Sequence, residues 1–458
     1  MKRSIMHSKI QRVTEKHSPE SLAVHTRLAH QTHVVLRLGQ YMLASGASAF
    51  RVQDGMARLA RAVGIERLHV QMTYTTITAT AWANGTFRTE VVEQRNLGVN
   101  ADRIDRFNAY VQSLPDVLLV EDAIRDIESI HKRPVLYSIP VSATASGLAC
   151  AGFAFLNKGG LIECLAVMVA ALIGQAVRRL LIKRHVNHFM TWMVCGFVAS
   201  GLYMAVVGTL QSTNVIDATH QAGMVSAVLF LVPGFPLVTS ILDLIRQDFI
   251  AGISRGIYVV MLLIATAASV WAVSSIFHWS ISTTQPGYHL DPLPLTAGRA
   301  LATFIAAYGF AMLFNAPAQA CLLAGLNGTI INVARLLGQD HNLNPVAAVG
   351  MAAFFSGIIA HVFSRYSRHS RVTLSVPAVV VMIPGVPLYR AMTAMSAGQG
   401  VLPALESTVT LLLTTTAIGV GLALARVVTD KHWRMEQPPE VPTLGDSTAT
   451  IPEPFRHS

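Results

Sequence analysis

The most constraining feature of this chain is a proline-glycine break inside an apolar segment long enough to cross a bilayer. Residues 229–240 read Leu-Phe-Leu-Val-Pro-Gly-Phe-Pro-Leu-Val-Thr-Ser, with Pro233, Gly234 and Pro236 in mid-segment. A proline inside a helix removes one backbone hydrogen bond, and its ring clashes with the carbonyl four residues back. In lipid such a break is tolerated only where it is buried in protein or lines a polar cavity. The pattern returns as Ile383-Pro384-Gly385-Val386-Pro387-Leu388-Tyr389, again in apolar surroundings. Two matching breaks in two halves of one chain point to a transporter site at a repeat interface. The alternative is a pair of ordinary helix kinks, which leaves their matching positions to coincidence.

Charged residues make up only 13% of the chain and hydrophobic ones 52%, where soluble proteins carry roughly 25% charged residues. The deficit begins at Val135. From there, apolar segments recur near 136–156, 160–181, 190–210, 222–244, 254–277, 296–315, 317–337, 345–364, 372–391 and 403–426. Each fits the roughly 17–25 residues that span a membrane. Arg178, Arg179, Lys183 and Arg184 follow the second segment, Arg246 and Arg255 the fourth, Arg365, Arg368 and Arg371 the eighth. The long alternate loops 211–221 and 278–295 hold no Lys or Arg. By the positive-inside rule both termini are cytoplasmic. The net charge of +10 is therefore read as membrane orientation, with no nucleic acid as partner.

Five spans in each half reverse the orientation of the second half. Gly152-Phe153-Ala154-Phe155-Leu156-Asn157 resembles Gly309-Phe310-Ala311-Met312-Leu313-Phe314-Asn315, and the breaks fall in the fourth span of each half. The expected fold is a mostly α-helical polytopic membrane protein, with about ten transmembrane helices in two inverted five-helix repeats. The expected boundaries are repeats at 135–280 and 281–430, with a flexible tail at 431–458.

Residues 1–28 are polar and read as a flexible arm, and residues 29–134 as a cytoplasmic, soluble α+β domain. Helices are expected over 29–45 and 49–63, then strands over 68–73, 76–82 and 86–92. Asn84-Gly85 forms a hairpin turn, because both turn positions need positive φ. Asn100 caps a helix over 101–113, and another follows over 120–131. The N-terminus lacks the apolar core of a signal peptide. Cys150, Cys164, Cys195 and Cys321 lie in apolar segments without metal-ligand spacing, so neither a disulfide framework nor a metal site is expected. No nucleotide-binding, hydrolase or metalloprotease motif occurs, so no cofactor is expected.

The prolines are expected to free the carbonyls of Leu229, Val232, Val380 and Ile383, which can hold an ammonium group or an ion. The half-helix that restarts after each break turns its N-terminal amides to the same cavity, which favours a carboxylate. Thr239 and Ser240 add hydroxyls a turn later. Such a site suits a zwitterion. Ionisable residues within spans are costly and often functional. Asp243 lies about ten residues beyond Pro233, roughly 15 Å along a helix. That places it near the cytoplasmic end, as a gate or proton acceptor, or as an anchor paired with Arg246 or Arg255. Asp248 and Arg255 flank the same loop and can pair. Glu163 and Glu406 read as interfacial anchors and His361 as structural. Asn315, Asn327 and Asn332 read either as interhelical hydrogen-bonding groups or as cavity lining.

Three sets of residues resemble the threonine/serine exporter family. The first is Leu43-Ala44-Ser45-Gly46-Ala47 with Arg51-Val52-Gln53-Asp54, Arg95 and Asn100. The second is Val232-Pro233-Gly234-Phe235-Pro236 with Asp243-Leu244, Asp248, Gly252 and Arg255. The third is Phe314-Asn315-Ala316-Pro317 with the second break. The resemblance covers about residues 30–428 and departs at Gln53, where an acidic residue is expected in relatives. It implies a secondary transporter in the cytoplasmic (inner) membrane, not an enzyme, exporting threonine and serine by proton antiport with alternating access. On that reading Pro233, Gly234, Pro236, Thr239, Ser240, Asn315, Pro384, Gly385 and Pro387 bind substrate. Asp243, Asp248 and Arg255 couple or gate. The partners are the amino acid, protons and the lipid bilayer, and a homo-oligomer is compatible. Relatives with the second half as a separate protein imply a dicarboxylate such as succinate as the alternative. A membrane-anchored sensor or enzyme is the other alternative, though an anchor needs no internal repeat.

Overall fold

The computed structural model describes residues 19–95, 97–213, 223–277, 290–383, 387 and 401–434. The N-terminal unit opens with α1 (Pro19–Ala44) and α2 (Ala49–Ala62). Helix α1 starts at Pro19 rather than near 29, with proline at the first helical position, where its missing N–H costs nothing. Leu28 is buried in the core of the unit, so the helix is held before residue 29. A meander of β1 (Arg67–Met72), β2 (Thr76–Ala83) and β3 (Thr86–Glu93) follows, antiparallel throughout. Ala83 pairs with Thr86 across Asn84 and Gly85, whose φ values are 50° and 69°, as the two-residue hairpin requires. Ile77, Ala79, Ala81 and Ala83 alternate inward from β2 to join Val34, Leu38, Met56 and Leu59 in one core. Helices α3 (Ala101–Gln112) and α4 (Val120–His131) complete the unit, with the Asn100 side chain accepting the Arg103 N–H.

The remaining helices are α5 (Ile139–Leu156), α6 (Leu161–Lys183), α7 (His188–Ser212), α8 (Gly223–Ala227), α9 (Gly234–Ile245), α10 (Phe249–Ile276), α11 (Pro292–Leu313), α12 (Ala318–Asp340), α13 (Pro345–Tyr366), α14 (Arg371–Val380), α15 (Val401–Thr429) and α16 (Lys431–Arg434). Eight of them are long and apolar enough to cross a membrane. Ile253, Ile257, Val260, Met261 and Ile264 lie exposed on α10, as lipid-facing residues do. Ala170, Ala199, Ala306, Ala307, Ala324 and Ala353 are buried between helices, the small residues that let membrane helices approach. The two expected spans that carry the breaks are not continuous. The fourth is α8, a 3₁₀ turn (Leu229–Leu231) and α9; the ninth is described as α14 and the residues to 383.

Features of α5–α7 recur in α11–α13 at one spacing, 157 positions, as 344 is from 187. Asn187 and Asn344 each cap the following helix by accepting two backbone N–H groups. Lys158 and Asn315 both adopt positive φ, as do His185 and Asn342. Gly159 N–H donates to Ala154 O, and Ala316 N–H to Ala311 O. Helices α5 and α11 cross at Gly152 and Gly309. A Cβ on Gly152 would sit 2.6 Å from the Ala302 carbonyl oxygen, and one on Gly309 2.7 Å from that of Ala145. The pairs are reciprocal at the same spacing, the signature of a two-fold contact.

Candidate transport site at the helix breaks

Pro233 has φ −78° and ψ 60°, an inverse γ-turn. The turn is closed by Gly234 N–H donating to Val232 O at 2.8 Å. Just before it, Leu231 N–H donates to Val228 O at 2.9 Å and Val232 N–H to Leu229 O at 3.0 Å. The second break has the same two bonds: Met382 N–H donates to Val379 O at 2.9 Å and Ile383 N–H to Val380 O at 3.1 Å. This corrects the expectation of freed carbonyls. The helix tightens to an i to i−3 pattern ahead of each proline, so Leu229, Val232 and Val380 each accept a backbone donor.

The carbonyls that look outward are those of Phe230 and Leu231, and side chains meet them. Trp192 Nε1–H donates to Leu231 O at 2.6 Å, and Arg178 Nη1–H to Phe230 O at 3.2 Å. The Arg178 guanidinium lies 4.4 Å from the Trp192 ring centroid. Sequence reasoning placed Arg178 in a loop. The bounds of the second segment, 160–181, already include it, and helix α6 runs to Lys183 with Arg178 on it, partly buried. The legible signal was a cation five positions before the end of an unbroken apolar helix.

The two breaks meet. Gly234 faces α14, where a Cβ would sit 2.6 Å from Val380 Cγ2 and 3.1 Å from Ile383 Cδ1. Phe235 stands edge-on to Phe314, centroids 5.5 Å apart. Pro233 is buried and Pro236 partly buried. Pro384 and Gly385 lie outside the described residues, and Pro387 is partly buried. Thr239 and Ser240 are buried with their hydroxyl hydrogens committed, Thr239 to Phe235 O at 3.0 Å and Ser240 to Gly252 O at 2.8 Å. Ser240 thereby ties α9 to α10. Asn327 and Asn332 are buried between helices, Asn327 donating to Ser356 and Leu374, Asn332 to Thr303.

At the far end of α9, Asp243 and Arg255 form an ion pair, Nη1 to Oδ2 3.6 Å, each 1% exposed. Arg255 pairs with Asp243 and not with Asp248, because the N-terminal unit holds both partners. Asp243 Oδ1 accepts Ala49 N–H at 3.0 Å, and Arg255 Nη2–H donates to Ala47 O at 2.9 Å. Ser48 makes no side-chain cap for α2; the Asp243 carboxylate supplies one from the bundle, where the helix dipole favours an anion. Asp248 accepts Gln53 Nε2–H at 3.3 Å. Burial raises the Asp248 pKa, offset in part by that hydrogen bond. Arg246 lies over the Phe50 ring at 3.9 Å.

The same unit grips the second half. Asn315 Nδ2–H donates to Asn100 Oδ1 at 2.9 Å, and its Oδ1 accepts Leu136 N–H at 2.8 Å. Buried Asp105 accepts Ser370 N–H at 2.9 Å and Thr373 Oγ1–H at 2.8 Å, with His369 Nδ1 2.9 Å away. Ser370 caps α14 by accepting the Thr373 N–H, and Asp105 pins that cap from the N-terminal unit at the start of the helix that leads into the second break. Neither Asp105 nor His369 stands out in the sequence, since each gains its role from a contact 264 positions away.

Two family models match the chain, one described as a putative threonine/serine exporter over residues 33–277 and one as threonine/serine exporter, ThrE, over residues 299–428. The chain belongs to the threonine/serine exporter family. Among its relatives, the threonine/serine exporter of Corynebacterium glutamicum is 22% identical over 92% of this chain and 86% of its own length. The probable succinate transporter subunit YjjP of Escherichia coli (strain K12) is 27% identical over 52% of this chain and 91% of its own. The probable threonine/serine exporter of Mycobacterium tuberculosis (strain ATCC 25618 / H37Rv) is 22% identical over 88% and 76%. No solved structure matches. The family is one of transporters, so this member is a multi-pass membrane protein of a transporter class.

Proposed function

We propose that this chain exports threonine and serine from the cytoplasm by proton antiport, with alternating access of two inverted five-helix repeats. The observation that carries the proposal is the meeting of the breaks, Gly234 against Val380 and Ile383. The recurrent caps and the reciprocal crossing of α5 and α11 support a pseudo-two-fold pair. Loop charge supports an inner-membrane setting with both termini cytoplasmic. Substrate sits where the breaks converge, bordered by Pro233, Gly234, Pro236, Thr239, Ser240, Pro384, Gly385 and Pro387, with Asn315 at its edge. Asp243, Arg255 and Asp248 form the inner gate, and Asp243 is the proton acceptor when the gate opens.

Efflux of labelled threonine, serine and succinate, compared in cells with and without the protein, tests the proposal. Threonine and serine efflux is expected, to slow when the proton gradient is dissipated. Succinate efflux alone would favour the second reading, dicarboxylate export, which rests on the name of the Escherichia coli relative.

A further inference from the structure

Arg178 is a partly buried cation in an apolar helix, and no carboxylate pairs with it among the described residues. Its Nη1–H donates to Phe230 O at 3.2 Å and to Gln175 Oε1 at 3.3 Å, and its Nε–H is buried with no partner. A charge held in a membrane span without a counter-charge is costly and marks a functional site. The Trp192 face beneath the guanidinium offsets part of that cost. Gly174, one turn earlier, lets the Phe230 ring lie against α6, where a Cβ would sit 2.6 Å from Phe230 Cζ. The cation is thus fixed beside the first break.

The second half supplies a comparison. Arg335 stands 157 positions after Arg178, and Asn332 the same distance after Gln175. There Arg335 Nε–H donates to Asn332 Oδ1 at 2.8 Å. The matching donor of Arg178 has nothing to hold.

We propose that Arg178 is the carboxylate-binding residue of the first break. The guanidinium fork takes a substrate carboxylate, and the Phe230 carbonyl that Nη1 releases takes the ammonium group of the same molecule. A planar fork suits a carboxylate bidentately, which a lysine ammonium does not. The assignment rests on the transport reading above for its substrate, but requires only that the ligand carry a carboxylate.

Thermal unfolding of the full chain in detergent, titrated with L-serine, succinate or ethanolamine, tests it. L-serine raises the unfolding temperature of the wild type and ethanolamine, which lacks the carboxylate, does not. In Arg178→Gln the half-saturating serine concentration rises at least tenfold. Should Arg178→Gln fail to fold, Arg178→Lys carries the test, with a rise of at least threefold. An unchanged half-saturating concentration in the folded variant overturns the proposal, as does a wild type that neither carboxylate stabilises. Stabilisation by succinate and not serine, lost in Arg178→Gln, upholds Arg178 while overturning the amino-acid reading.

Discussion

The two membrane halves share caps, left-handed turns and a polar pair at one spacing, Gln175 and Arg178 against Asn332 and Arg335, yet differ in the charges that follow the breaks. Asn187 and Asn344 do one job. The breaks carry the same pair of short-range backbone bonds. Counting from Pro233 and Pro384, however, Asp243 corresponds to Ala394 and Arg255 to Glu406. Asp243 and Arg255 are buried and grip the N-terminal unit, whereas Glu406 is exposed. The teaching of the comparison is that backbone geometry at the breaks is shared, because breaking a membrane helix has few solutions, while the charged pair that follows the first break belongs to one half only.

The largest effect is expected from breaking that asymmetry. Asp243→Ala leaves Arg255 buried without its partner, which costs about 3–5 kcal/mol. The double substitution with Arg255→Ala is expected to cost less than the sum of the two singles, in thermal unfolding of the full chain. Glu406→Gln, at the corresponding position, should fall within about 0.5 kcal/mol of wild type. Equal effects at both positions would remove the distinction between the halves.

Next is the shared frame. Gly234→Leu drives a side chain into Val380 and Ile383, an overpacking worth about 1–3 kcal/mol, and efflux is expected to fall at least about tenfold. Gly201→Leu on α7 meets nothing within 4 Å and should leave efflux near wild type. Asp105→Ala leaves the Ser370 N–H and the Thr373 hydroxyl at the start of α14 without their acceptor and is expected to cost about 1–3 kcal/mol, read as faster limited proteolysis between the N-terminal unit and α5.

Much of the frame was legible because it depends on local rules. The hairpin at Asn84-Gly85 and the cap at Asn100 need only a few neighbouring residues. Eight spans follow from apolar length. The freed carbonyls were misplaced because a proline's effect was counted on an ideal α-helix, and the chain tightened before the proline instead. Arg178 was missed because a helix end in an apolar run leaves no mark when Arg and Lys continue it. The Asp243 cap on α2 and the Asp105 contact to the start of α14 join elements about two hundred positions or more apart, and no period or motif encodes such a pair. What sequence rules describe is the repeat; what they leave out is the N-terminal unit's hold on it.

The smallest expected effect isolates that unit from both halves. His131 stacks on Tyr41 with centroids 3.7 Å apart and rings 8° from parallel, and its Nδ1 is buried without a partner. Burial lowers its pKa, and Arg103 next to it lowers it further. The folded unit therefore favours the neutral ring. Its stabilising contribution is present above the ordinary histidine pKa, about 6.5, and is lost as pH falls through the lower folded value. The unfolding temperature of the full chain should drop on acidification below about pH 6.5, and His131→Phe, which keeps the stack and cannot charge, should flatten that drop. An acid slope unchanged in His131→Phe would rule out His131 as its source, and Asp248 does not supply it, because a carboxyl raised by burial stabilises the docked form at low pH and weakens it as pH rises.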